Sequence, residues 1–237
     1  MKIELLYPEL GNLYGDTGNY IYLKKCLPDA EFVETHLNDK PAFANEDVSM
    51  VVMGSMLESA QTLAVAKLKP YKEELKANIE KGTVFLLTGN SIELLGEYIE
   101  EDGEKEEMLG LYPFHSERQH AVRYNYLVRG EFEGMQLVGY KTQFAKLYGT
   151  FDKPFMKMLG GMGNNTETET EGIHDHNLFA TYYTGPLLPC NPLFVKYLLR
   201  LLGHDDHLAY EEEAMAAYEN RMQEYLGEAM RYEFHWH

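Results

Sequence analysis

Two short segments, Val48–Met53 (VSMVVM) and Thr83–Thr88 (TVFLLT), are apolar almost without a break, and each runs straight into a glycine. A strand covered on both faces reads this way, whereas a strand with one wet face alternates. Between them, Glu58–Lys81 carries a helical period, is interrupted at Pro70 and stops at Gly82. Strand, crossover helix and strand in that order predict a parallel sheet, because parallel neighbours need a long connection. Lys2–Tyr7 predicts a further strand ended by Pro8, Asn19–Leu27 a helix stopped by Pro28, and Ala30–His36 an alternating strand. Ser91–Ile99 is expected to be the next helix. The fold class is therefore α/β: an open, mainly parallel twisted sheet flanked by helices.

The chain then changes character. Glu100–Glu107 (EEDGEKEE) reads as a charged surface loop. Gln119–Gly130, Met135–Tyr140 and Phe144–Tyr148 are rich in β-formers and predict an antiparallel extension. Gly160–Gly172 is a long polar loop, a kind that is usually functional or mobile. Leu178–Tyr183 predicts a last strand, and Asn191–Leu202 a helix with Pro192 in its first turn. Leu208–Tyr232 is an added amphipathic helix, with Leu208, Met215, Tyr218, Met222, Tyr225 and Ala229 at helical spacing. Two units are expected, 1–203 and 204–237. The apolar stripe of the added helix should pack on its own domain; a homodimer or partner interface is the alternative.

The 237 residues are enough to bury a real core. Acidic residues number 38 against 21 basic ones, a net charge of -17, which argues against binding nucleic acid or an anionic membrane. Cys26 and Cys190 are the only cysteines, so no disulfide scaffold is expected. The N-terminal MKIELLYPEL does not read as a signal peptide, and no run nears the ~20 apolar residues of a membrane span. A cytoplasmic protein is the expectation.

In an open parallel sheet, ligands sit at the carboxyl ends of the strands. Three turns qualify: YGDTGN after the first strand, GSMLESAQ after the VVM strand and TGNSIELLG after the FLLT strand. The last has the abrupt strand-to-helix form of a nucleophile elbow, which would expose one side chain at the mouth of the sheet. These turns stand in a pattern. LYPELGNLYGDTGN (Leu6–Asn19), MGSMLESAQ (Met53–Gln61), GMGNN (Gly161–Asn165) with Glu171 and Gly172, and ATYYTGPLLPCNP (Ala180–Pro192) follow one another in order.

Together these blocks resemble the class-I glutamine amidotransferase family of the cobyric-acid-synthase type, a flavodoxin-like fold, over roughly residues 1–203. Within that family the chain resembles the amidotransferase subunits of bacterial lipid II isoglutaminyl synthase. The resemblance implies glutamine hydrolysis with ammonia passed to a partner synthetase, here a Mur-type ligase in cell-wall precursor amidation. A cobalamin pathway stays open, and no cofactor is implied. The resemblance also places the family's cysteine on Gly89, its elbow glutamine on Glu93 and its histidine on Thr184. Gly139–Ala145 (GYKTQFA) departs from the family's GFENHxG block as well. With neither thiolate nor imidazole, the thioester step has no nucleophile and no base, so little activity should remain. The chain then reads as a binding or partner subunit lacking glutaminase activity.

The retained positions Asp16, Asn19, Gly54, Ser55, Gln61, Asn90, Ser91, Asn165, Glu171 and Gly185 are the candidate ligand pocket. Asn164 belongs with them, and Gly54, Ser55 and Met56 fall on the oxyanion-hole turn, whose N–H groups a non-glycine residue can still offer. These residues serve equally well to hold loops together. An enzyme using an unrecognised nucleophile such as Ser91 is the alternative, although Ser91 reads more simply as a helix cap and no histidine is matched to serve it. Cys26, on an apolar helix, and Cys190 both read as structural. His174-Asp175-His176 and His204-Asp205-Asp206-His207 lack a regular zinc spacing, so solvated loops rather than a metal site are expected there, as is a frayed His235-Trp236-His237.

Overall fold

The computed structural model describes residues 1–226. Its elements follow as β1 (Lys2–Leu6), α1 (Thr17–Cys26), β2 (Glu31–Thr35), β3 (Met50–Met53), α2 (Glu58–Leu68), α3 (Lys72–Lys81) and β4 (Val84–Thr88). Next come β5 (Tyr98–Glu101), β6 (Glu104–Glu107), β7 (Phe114–Arg118), β8 (Tyr124–Phe132), β9 (Met135–Gln143) and β10 (Ala145–Gly149). Then follow β11 (Met156–Gly160), β12 (Thr170–Glu171), β13 (Ile173–Asp175), β14 (Leu178–Thr181), α4 (Leu187–Cys190), α5 (Pro192–Leu201) and α6 (Glu211–Leu226).

The main sheet has the order β13-β14-β4-β3-β1-β2 and is parallel except for β13 at its edge. Every residue of β3, β4 and β14 is buried, as their unbroken apolar sequences require. Pro70 lies in a short 3₁₀ turn, Lys69–Tyr71, that divides α2 from α3, and Gly82 closes α3 at φ +91°. One face of the sheet packs against α2, α3 and residues of β7 and β10, around Val51, Phe85, Leu87 and Leu147. The other packs against α1, α5 and β8, around Leu23, Leu86, Phe179 and Phe194.

Two expectations for this region need correction. Ser91–Ile99 is not an α-helix: Gly89–Leu95 forms a 3₁₀ turn, and the chain is already extended in β5 from Tyr98. The turn goes with close packing: all seven of its residues are buried, and Gly96 just after it lies so near Phe114 that a Cβ would stand 2.7 Å from the ring. Nor is Glu100–Glu107 a loop. It is the β5–β6 hairpin, turned by Asp102 and Gly103 at φ +51° and +83°.

The antiparallel extension forms two four-stranded sheets, β10-β7-β5-β6 and β12-β11-β8-β9. The edge of β9 is closed by side chains and a loop. Tyr218 Oη donates to the Gln136 carbonyl (2.7 Å), the Asn191 amide pairs with both backbone groups of Val138 (2.8 Å each), and Thr184 N–H donates to the Tyr140 carbonyl (2.9 Å). Tyr218, Met222 and Tyr225 of α6 pack on Leu127, Val138 and Leu193 of the same chain. Ala229, the stretch to Tyr232 and His235-Trp236-His237 lie outside the described residues. No helix among the described residues is long and apolar enough to cross a membrane.

Candidate functional site

The carboxyl ends of β1, β3 and β4 bring the three turns together. Thr88, the last residue of β4, donates its hydroxyl to Asp16 Oδ2 (2.8 Å). The same oxygen accepts the Ser55 N–H (2.7 Å). Asp16 is almost fully buried, and burial pushes its carboxyl up to about 6 against these hydrogen bonds and one from the Gly185 amide. Asn19 accepts the Leu188 N–H (2.7 Å), which ties α1 to α4.

Gly89 follows β4 at φ +61°, the left-handed backbone expected of an elbow. A Cβ there would lie 2.4 Å from Ser55 Cβ and 2.5 Å from Ser55 Oγ. The place where an elbow side chain would begin is therefore taken by Ser55. Gly54 must itself be small, since its Cβ would fall 2.2 Å from the Gly11 carbonyl oxygen. Asn90 stitches the two turns: its Oδ1 accepts the Met56 N–H (2.9 Å) and its Nδ2 donates to the Met56 carbonyl (2.8 Å). Gln61 in turn donates to the Asn90 carbonyl (2.9 Å). The N–H groups of Ser55 and Met56 are thus both committed within the chain, contrary to the expectation that this turn still offers them to a ligand.

Glu93, where the sequence resemblance places the family's glutamine, is buried and faces Arg118 Nη2 at 3.0 Å. Tyr182 Oη donates to its other oxygen (2.9 Å), and Arg118 also donates to Gln61 Oε1 and to Glu101 (3.4 Å). Burial pushes the Glu93 carboxyl up, and Arg118, Tyr182 and Gln61 oppose the shift.

Thr184, where the sequence resemblance places the family's histidine, is buried and holds the Tyr140 carbonyl with both its N–H (2.9 Å) and its hydroxyl (3.2 Å). Next to it Gly185 takes φ +87°. Glu171 accepts the Thr181 hydroxyl and the Tyr182 N–H, each at 2.8 Å. Lys141 is buried 3.6 Å from Glu171 and donates to the carbonyls of Met162 (3.1 Å) and Gly163 (2.8 Å). Burial pulls its ammonium pKa down, and Glu171 opposes that. Asn164 and Asn165 are buried as well: Asn164 Oδ1 accepts the Gly172 N–H (2.8 Å), and Asn165 Nδ2 donates to the Leu147 carbonyl (2.8 Å).

Ser91 is fully buried, and its hydroxyl donates to the Thr88 carbonyl (2.7 Å); it does not cap a helix by accepting an N–H. Cys26 is buried and Cys190 half-buried, both free, with burial pushing both thiols up. His174 and Asp175 lie in β13 rather than in a solvated loop, and His174 is half-buried. It stacks on Phe179 at 4.7 Å, and burial lowers its pKa. Asp175 is held by Lys153 and by Tyr112 (3.2 Å), and Asp206 by Arg200 (2.6 Å). Among the described residues no group of three or more His, Cys, Asp or Glu side chains could hold a metal ion. Sequence reasoning missed Arg118 and Lys141 as members of the site. Arg118 sits in the charged run HSERQH, which looks like surface; Lys141 shares the buried parity of Leu137 and Gly139 in β9, a signal that was present.

A CobB/CobQ-like glutamine amidotransferase domain model matches residues 2–192. The lipid II isoglutaminyl synthase (glutamine-hydrolyzing) subunit GatD of Staphylococcus aureus (strain N315) is 32% identical over 194 residues, covering 79% of this chain and 78% of that one. Its namesake from Streptococcus pneumoniae (strain ATCC BAA-255 / R6) is 28% identical over 227 residues, covering 90% and 86%. A solved glutamine amidotransferase structure superposes with TM-score 0.53 at 13% identity, covering 84% of this chain and 98% of that one. A glutamine amidotransferase from Thermotoga maritima gives 0.50 at 11% identity, covering 94% and 84%. These two likenesses show the shared fold, and the family match covers most of the chain: the protein belongs to the CobB/CobQ-like glutamine amidotransferase domain family.

Proposed function

We propose that this chain is a non-catalytic member of its family. It works as a partner subunit beside a Mur-type ligase that amidates a cell-wall precursor. The elbow carries the reading: Gly89 offers no nucleophile, and Ser55 fills the space where one would stand. Thr184 supplies no imidazole, and its hydroxyl is spent on the Tyr140 carbonyl. Asp16, Asn19, Gln61, Asn90, Asn165 and Glu171 act as a clasp that keeps the family's site shape without its chemistry. In this reading residues 1–203 are the amidotransferase-like unit and 204–237 its helical addition. The likeness to subunits named for lipid II isoglutaminyl synthase supports the choice of partner and pathway.

The test is ammonia or glutamate release from glutamine by the purified chain, alone and with a Mur-type ligase added. No release above the buffer rate is expected in either case. Turnover in either sample overturns the reading. Should turnover appear, a fluorophosphonate label that reaches Ser91 would assign it to that hydroxyl.

A further inference from the structure

We propose that Ser55 is the residue that closes the elbow, so that positions 55 and 89 cannot both carry a side chain. The inference rests on the reading of the elbow as unoccupied by a nucleophile, and it adds the cause and the way back. A side chain at residue 89 would start 2.4 Å from Ser55 Cβ, 2.5 Å from Ser55 Oγ and 3.2 Å from Ser55 Cα. Turning the serine about χ1 moves only Oγ, so the Cβ contact persists in every rotamer. Backbone retreat is blocked on both sides of Ser55. Its N–H is held by Asp16 (2.7 Å), its carbonyl accepts the Leu13 N–H (2.9 Å), and the next N–H is held by Asn90 (2.9 Å).

The left-handed backbone at Gly89 strains any side chain placed there, a strain that strand-to-helix elbows tolerate, and the Ser55 contact is added to it. Removing the Ser55 side chain gives up one long contact to Asn90 (3.3 Å) and leaves the Asp16 and Asn90 hydrogen bonds in place. A side chain at residue 89 then keeps one close contact, 3.2 Å to the Cα of residue 55, which a shift of a few tenths of an ångström relieves. The elbow is a latent thiol site, shut by one hydroxymethyl group rather than dismantled.

The experiment is a double-mutant cycle in the full chain with Gly89→Cys, Ser55→Gly and the pair, read by equilibrium unfolding and by the rate of iodoacetamide labelling above the Cys26 and Cys190 background. Gly89→Cys alone is expected to raise the unfolding constant at least about tenfold, in line with overpacking elsewhere. The pair should recover to within about threefold of Ser55→Gly and should add one thiol that labels faster than the native two. Gly89→Ala, made with and without Ser55→Gly, repeats the unfolding part without a thiol, so the result does not depend on one variant folding. An equal loss whether or not Ser55→Gly is present would mean that the backbone angle, not Ser55, excludes the side chain, and would overturn the inference. Stable folding of Gly89→Cys with Ser55 retained would overturn it too. Glutamine turnover by the unaltered chain would instead sink the non-catalytic reading and leave this coupling standing.

Discussion

Two buried ion pairs flank the end of β14, and they are built differently. Glu93 and Arg118 touch directly at 3.0 Å, and among the described residues Arg118 is the one cation facing the Glu93 carboxylate, whereas the guanidinium also has Glu101 at 3.4 Å. Lys141 and Glu171 stand 3.6 Å apart and are satisfied mainly by neutral groups: two carbonyls for the ammonium, a hydroxyl and an N–H for the carboxylate. The direct pair meets a buried carboxylate with a counter-charge, whereas in the looser pair hydroxyl, N–H and carbonyl groups of the fold do most of the solvating.

The largest effect should come from Arg118→Met, which strands the Glu93 carboxylate. We expect a loss of about 3–5 kcal/mol in denaturant unfolding at neutral pH. The loss should shrink in acid. Burial already holds the Glu93 pKa above its unfolded value, and losing Arg118 raises it further, so stability is present at low pH and is lost as pH rises through the folded pKa. A loss that does not change with pH would mean that shape rather than charge holds the pair.

Lys141→Met should cost about 1–3 kcal/mol, because Glu171 keeps both of its neutral donors while two carbonyls lose theirs. The comparison breaks if Lys141→Met proves as damaging as Arg118→Met in the same assay. Glu93→Gln should have the smallest effect, about 1 kcal/mol. The amide oxygen can still accept from Arg118 or Tyr182, and Glu101 remains beside the guanidinium. Unfolding midpoints of the variant and the parent chain, measured side by side, decide it.

The parallel sheet could be read from sequence because its signals are local. The runs ending at Met53 and Thr88, the stop at Gly82 and the break at Pro70 each depend on a few neighbouring residues. The elbow could be located because its turn follows such a run. What lay hidden depends on distant partners. Nothing near Ser91 says that Gly96 must admit the Phe114 ring, and that close approach goes with a tight turn in place of an α-helix. The Asp102-Gly103 pair was a hairpin signal, but glutamates around it made the segment look like a loop. Ser55 looked like a variant of an oxyanion turn; only the positions of two Cβ atoms show it as the occupant of the elbow.

The edge of β9 has a meaning beyond the site. An uncovered strand edge is a template on which another chain can lay a strand. Here the Asn191 amide imitates a missing neighbour by meeting both backbone groups of Val138, and Tyr218 reaches in from α6 to meet Gln136. Tyr218 lies beyond the residues matched by the family model, so the chain keeps part of its defence against self-pairing in a segment that the shared domain does not contain. Thr184 is a third guard of the same edge, so a residue read first for its place in the site also blocks strand addition along β9.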